Sequence, residues 1–167
     1  MPRILLMRHA KSSWDDPSLP DHDRPLNERG RRSATKVGAY LREHGLLPEL
    51  ILCSSATRAT ETLAGLALGI PDVRIRDDLY GADDEALLAA VRETSDAVDS
   101  VAVIAHDPGM HDLVTRLAAD AAGEDADAIR ERFPTGAVAV FDHDGAWGGF
   151  DADGARLAAF VRPRDLA

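Results

Sequence analysis

The sequence has a single cysteine, no long apolar run and no surplus of positive charge, and each shortage narrows what the chain can be. Cys53 alone cannot close an internal disulfide, which fits a reducing compartment and makes the cytoplasm the expected location. It falls inside the apolar run Leu50-Ile51-Leu52-Cys53 and so reads as a small buried hydrophobe, not a nucleophile. No apolar stretch approaches the roughly 20 residues of a membrane helix, and the N-terminus lacks the apolar region of a signal peptide, so no membrane partner is expected. Lys and Arg number 19 against 29 Asp and Glu, a net charge of −10 that offers no basic field to nucleic acid. An anionic ligand must therefore be held by a few local arginines. Spacings of the His-Glu-x-x-His kind are missing, and Asp142-His143-Asp144-Gly145 and Asp151-Ala152-Asp153-Gly154 lack the ligand pattern of a calcium loop. Both read as turns, and no metal or other cofactor is expected. There is no repeat, linker or low-complexity tract, so one domain is expected over residues 1–167, long enough for a sizeable core.

What is present begins with Ile4-Leu5-Leu6-Met7, four apolar residues that predict a strand buried on both faces, followed at once by Arg8-His9. Lys11 to Asn27 is polar and broken by Pro17, Pro20 and Pro25, the pattern of a long loop that flanks a site. Asn27 is a good cap for a helix running to about His44, with Ala34, Val37 and Leu41 inward and Gly45 as its stop. A second strand over Leu50–Cys53 leads through Ser54-Ser55-Ala56-Thr57-Arg58 into a helix with Ala59, Leu63, Leu66 and Ala67 as its expected inner face. A short strand over Val73–Ile75, an acidic loop and a helix carrying Leu87, Leu88 and Val91 come next. Val101 to Ala105 is the most apolar strand, ending at His106; Asp107 is placed to cap the following helix, with Pro108 as its first residue. Ala121 to Ile129 reads as a helix or covering loop, Ala137–Phe141 and Arg156–Val161 as strands, and Ala146–Phe150 as a short edge strand.

Three strand-to-helix junctions thus share one form: Arg8-His9, Ser54 to Arg58, and His106-Asp107. Helices between the strands require parallel pairing, which brings all three junctions to one edge of the sheet, where open α/β folds bind ligands. Two imidazoles and two guanidiniums at that edge suit a phosphoryl group. Guanidinium matches phosphate oxygens bidentately, a neutral imidazole is a nucleophile, and Arg58 stands in the first turn of a helix, where free N–H groups favour anions. Either His alone reads more simply as a structural residue.

Arg8-His9-Ala10 resembles the Arg-His-Gly signature of the histidine phosphatase superfamily, also called the phosphoglycerate mutase-like family. Asp23-Arg24-Pro25-Leu26-Asn27-Glu28-Arg29-Gly30 resembles its Pro-Leu-Thr-x-x-Gly block, Ser54 to Thr62 its Ser-Ser-x-x-x-Arg-Ala-x-x-Thr block, and Val103-Ile104-Ala105-His106 the strand bearing its second histidine. The short length and Leu79-Tyr80-Gly81-Ala82 are most similar to the small bacterial phosphohistidine phosphatases. The resemblance implies a three-layer α/β/α sandwich with a mainly parallel central sheet, no metal and a phosphohistidine intermediate. It implies that His9 attacks phosphorus, that Arg8 and Arg58 hold the equatorial oxygens, and that His106 adds a hydrogen bond in the transition state.

Ala10 stands where the family has glycine and Asp15 where it has asparagine. Candidate proton donors are Asp15 and, in the acidic loop from Asp77 to Glu85, Asp83; candidate phosphate contacts are Lys11 and Ser12. His22 and His111 read as residues without chemistry, although His22 lies in the loop expected beside the substrate. Trp14 and Trp147 read as packing or rim residues, and Arg162-Pro163-Arg164 as a solvated charge cluster in preference to the rim of the site. A phosphorylated protein is the expected substrate and a small phosphate ester the alternative. A non-catalytic phosphate-binding module is the reading without chemistry. With an acidic surface and no apolar stripe, a monomer is the default.

Overall fold

The computed structural model describes all 167 residues. Its six strands are β1 (Arg3–Arg8), β2 (Leu50–Ser54), β3 (Asp72–Arg76), β4 (Ser100–Ala105), β5 (Val138–His143) and β6 (Ala155–Val161). They form one sheet in the order β3-β2-β4-β1-β5-β6. β1, β2, β3 and β4 run parallel, while β5 and β6 are antiparallel to their neighbours. The helices are α1 (Glu28–Glu43), α2 (Thr57–Leu66), α3 (Asp84–Arg92), α4 (Gly109–Leu117) and α5 (Glu124–Glu131).

The apolar runs that predicted the central strands divide their side chains between the two faces, as the two-residue period of a strand requires. Ile4 and Leu6 enter one core with Val101, Val103 and residues of α3, α4 and α5. Leu5 and Met7 enter the other with Ile51, Cys53, Ile104 and residues of α1 and α2. The result is the expected α/β/α sandwich. Fully buried side chains such as Leu6 and Val103, each 0% exposed, contribute about 1.5–3 kcal/mol apiece. α1 and α2 touch closely at Gly38, where a Cβ would meet the Leu66 carbonyl oxygen at 2.1 Å. Arg42 then closes the end of α2 by donating to the carbonyls of Leu66 (2.6 Å) and Ala67 (2.9 Å).

Three expectations need correction. Ala146–Phe150 is not an edge strand: Trp147–Gly149 make a turn of 3-10 helix. Both aromatic side chains of that segment are buried, and the Trp147 indole donates to the Val98 carbonyl at 2.7 Å. Ala67 leaves the inner face of α2 because it is the left-handed cap residue, with φ 49°, and is exposed. Its place is taken by Thr62, fully buried. Finally, α4 starts one residue later than expected, with Pro108 as the flanking residue; the Asp107 carboxylate accepts from the His111 N–H at 3.1 Å. Ala121 to Ile129 resolves in favour of a helix, α5, with Ala126 and Ile129 buried. No helix is long and apolar enough to cross a membrane.

Candidate active site

Sheet register sets the site. β1 pairs with β4 so that Arg8 lies opposite Ala105, and the next residue on each strand, His9 and His106, leaves the sheet side by side. Their ring centroids are 5.0 Å apart. β2 pairs with β4 so that Cys53 lies opposite Ile104, which delivers the following Ser54 to the same edge. There its Oγ sits 2.7 Å from Nε2 of His106. Parallel order therefore converts three distant stretches of sequence into one cluster.

His9, Arg58 and His106 are each only 6% exposed. Nδ1 of His9 donates to the carbonyl oxygen of Ala10 at 2.7 Å, since a carbonyl can only accept. That contact fixes the tautomer and leaves Nε2 with its lone pair. Burial first, then the nearby charges of His106, Arg58 and Arg8, lowers the His9 pKa to about 3. Burial likewise takes His106 to about 4, with Arg58 the next cause. Both rings are neutral near pH 7, and Nε2 of His9 carries no proton.

The strap around His9 is held by backbone groups. The Gly136 N–H donates to the carbonyls of Arg8 (3.1 Å) and His9 (2.9 Å), and the Ala10 N–H donates to Thr62 Oγ1 (3.0 Å). The Thr62 hydroxyl in turn donates to the Arg58 carbonyl (2.7 Å), tying the end of β1 to α2. Asn27 caps α1 by accepting from the Gly30 N–H. At Gly30 a Cβ would lie 2.1 Å from the Lys11 carbonyl oxygen, so glycine lets the helix start press against the segment after His9.

Each arginine is held from one side. Arg8 donates to the Phe133 carbonyl (3.2 Å) and lies 3.4 Å from the Asp107 carboxylate. Burial raises the pKa of that carboxyl. Arg58 donates to both the carbonyl (2.7 Å) and the carboxylate (3.0 Å) of Asp21, which also accepts from the Tyr80 hydroxyl (2.6 Å) and from Arg24 Nε (3.1 Å). Tyr80, ahead of Arg58, holds the Asp21 carboxyl far below the usual carboxylate range. Three buried nitrogens in this cluster, Nε of Arg8, Nε of Arg58 and Nδ1 of His106, have no hydrogen-bond partner in the protein. Unpaired buried donors are rare, and the oxygens of a bound phosphoryl group are what such a set would satisfy.

The other predicted residues are placed as follows. Ser12 is buried, and its Oγ accepts from Arg24 at 2.8 Å. Lys11 is exposed and lines a neighbouring cleft. Asp15 is exposed in the loop, and the Asp83 carboxylate caps α3 by accepting from the Ala86 N–H at 2.8 Å. His111 donates to the Ile129 carbonyl, away from the cluster. Trp14 is exposed beneath the Arg24 guanidinium, while Trp147 is core. His22, read as a residue without chemistry, lies beside the site. Its Nε2 is 2.9 Å from Ser55 Oγ, and its ring meets Tyr80 edge-on at 4.8 Å. Arg162 and Arg164, read as a solvated cluster, line the same cleft as Lys11. Asp21, Tyr80, Ser54 and Thr62 receive no site role from the sequence, although Tyr80 lies in the quoted Leu79-Tyr80-Gly81-Ala82 stretch. Ser54 and Thr62 lie inside the quoted motif blocks, whereas nothing local marks Asp21 as the partner of Arg58.

Comparison with known proteins agrees with this geometry. Residues 4–147 match the family model described as histidine phosphatase superfamily (branch 1). An uncharacterised protein of Mycobacterium tuberculosis (strain ATCC 25618 / H37Rv) is 38% identical over 161 residues, 95% of this chain and 100% of its own length. Among solved structures, the protein assigned as the phosphohistidine phosphatase SixA of Nakamurella multipartitia is 33% identical, with a TM-score of 0.85 over 97% of this chain and 96% of that one. The protein histidine phosphatase SixA complexed with tungstate is 25% identical, with a TM-score of 0.77 over 98% of each chain. Family model, full-length relatives and the paired histidines lead to one conclusion: the chain belongs to the histidine phosphatase superfamily and is a phosphatase.

Proposed function

We propose that this phosphatase works without a metal, through a phosphoryl group carried on Nε2 of His9, and that its substrate is phosphohistidine in a protein. The observation that carries the reading is the Nδ1 contact to the Ala10 carbonyl, which aims an unprotonated Nε2 into a cluster that contains Arg8, Arg58 and His106. Nε2 attacks phosphorus, the bond from phosphorus to the substrate's imidazole nitrogen breaks, and that ring leaves as a neutral group already protonated on its other nitrogen. Water then attacks the same phosphorus, the P–Nε2 bond breaks, and phosphate departs with His9 restored. Arg8 and Arg58 neutralise the equatorial oxygens in both steps, and His106 donates to one of them.

Support for a nitrogen leaving group comes from the carboxylates. An alkoxide would need a proton donor, but Asp83 is committed to a helix cap, Asp15 is exposed in the loop, and the Asp107 carboxylate is engaged by the His111 N–H and Arg8. The SixA neighbours point the same way, one of them solved with tungstate, a tetrahedral oxyanion of phosphate's shape. No three His, Cys, Asp or Glu side chains gather as a metal-ligand set, and activity is expected to persist in chelator.

The test is rapid-quench labelling with a phosphohistidine peptide. The expected product is a phosphoryl adduct labile to acid and stable to alkali, lost in His9→Ala. Turnover with no adduct at any quench time would overturn the covalent route. A panel in which small phosphate esters are hydrolysed and the peptide is not would overturn the protein substrate.

A further inference from the structure

Next to the phosphoryl site is a cleft of about 310 Å³ whose charge runs against that of the whole molecule. Lys11, Arg29, Arg132, Arg162 and Arg164 line it, with Glu131 as the one carboxylate among the lining residues. These come from four parts of the chain: the segment after His9, the first turn of α1, the end of α5 and the C-terminal segment. Lys11, Arg29 and Arg132 are exposed, and none is among the residues that form ion pairs within 4 Å. Arg162 and Arg164 have Asp165 as their shared partner, at 2.8 and 3.9 Å. Five cations against two carboxylates, in a chain of net charge −10, is a local excess that only weakens the fold by self-repulsion.

The cleft borders the segments that hold the catalytic cluster. Pro134 and Thr135 line it, and the next residue, Gly136, donates its N–H to the carbonyls of Arg8 and His9. Phe133, next to the lining residue Arg132, supplies the carbonyl that holds Arg8, and the charge of Arg132 is felt at Arg8. Its cations differ from the catalytic ones in kind. Arg58 is buried and clamped, as a single phosphoryl group requires, whereas Lys11, Arg29 and Arg132 are exposed to solvent. Exposed cations spread over several segments suit a set of carboxylates on a protein surface, and they offset the repulsion that an acidic partner would otherwise meet.

We infer that this cleft docks an acidic segment of the protein whose phosphohistidine enters the His9 site. The inference rests on the protein-substrate reading above, and the experiment separates the two. Three phosphohistidine peptides, with flanks rich in Asp and Glu, neutral, or rich in Lys, are turned over by the wild type and by an Arg29→Glu, Arg164→Glu double variant. In the wild type the acidic peptide is expected to exceed the neutral one about tenfold in kcat/KM, carried by KM, the size that two or three exposed ion pairs supply. The advantage is expected to shrink as salt rises from about 20 to about 300 mM. In the double variant the order is expected to reverse, with the Lys-rich peptide preferred, a gain that misfolding cannot produce. Equal turnover of the three peptides by the wild type, or an acidic preference unchanged in the variant, would overturn the docking cleft and leave the phosphohistidine reading standing. Hydrolysis of a small ester with none of the peptides would overturn that reading, and the docking inference with it.

Discussion

Acidification from about pH 8 to about pH 5 should remove roughly 4 kcal/mol of folding stability through two side chains, His9 and His106. Burial lowers the first from an ordinary 6.5 to about 3 and the second to about 4. The unfolded chain binds protons on these rings as the pH drops below 6.5, while the folded chain does not until it nears the lowered values. Stability contributed by the two neutral rings is thus complete at pH 8 and lost progressively across the window between. For each ring the loss at pH 5 is about 2 kcal/mol. Asp107 works in the opposite sense, because burial raises its carboxyl and the folded state then takes the proton first. Urea unfolding of the wild type, His9→Gln and His106→Gln, in buffers free of phosphate and sulfate, isolates the two rings from every other group. Each variant should lose about 2 kcal/mol less than the wild type over that range. If both variants lose as much as the wild type, the rings are not held neutral by burial, and the assignment of His9 as a ready nucleophile loses its electrostatic basis.

Two further substitutions test how the cluster is held. Thr62→Val removes the acceptor for the buried Ala10 N–H while keeping the volume, and should destabilise by about 1–3 kcal/mol in urea unfolding, with Thr62→Ser restoring most of it. Asp21→Asn leaves its carbonyl on Arg58 but removes the charge that Arg58, Arg24 and Tyr80 share, so kcat/KM for a phosphohistidine peptide should fall about tenfold, with a melting temperature, read by calorimetry, lower by about 2–4 °C and the variant still folded at assay temperature. Wild-type kinetics in Asp21→Asn would show that Arg58 needs no such clamp.

The parts of the fold that could be read in the sequence were those determined by local pattern. Runs such as Ile4 to Met7 and Val101 to Ala105 are apolar on consecutive positions because both faces of a central strand are covered, and no other environment explains them. From parallel pairing the meeting of His9 with His106 follows, since each is the first residue past a paired strand. Ala146–Phe150 misleads because a short segment with two aromatics between two strands invites an edge strand, yet Trp147 and Phe150, three positions apart, are carried inward by a turn. What stayed hidden depends on distance. Asp21 reaches Arg58 across 37 positions and Tyr80 across 59, and neither has a neighbour in sequence that announces its partner. The basic cleft is hidden too, because its cations come from segments that are each unremarkable alone.

On the proposed covalent route, the main-chain carbonyl that orients His9 would also govern how long a phosphorylated ring survives. A carbonyl is a neutral acceptor present whatever the side chain at position 10, so no point substitution by another amino acid deletes it. With Nδ1 still protonated and pointed at Ala10, a phosphoryl group on Nε2 would make the ring cationic, and such a ring departs as neutral imidazole, a good leaving group. No carboxylate is hydrogen-bonded to that ring to offset the charge and lengthen the intermediate's life. On that route the phosphorylated ring is therefore expected to be short-lived, and rapid quench is the measurement suited to catching it.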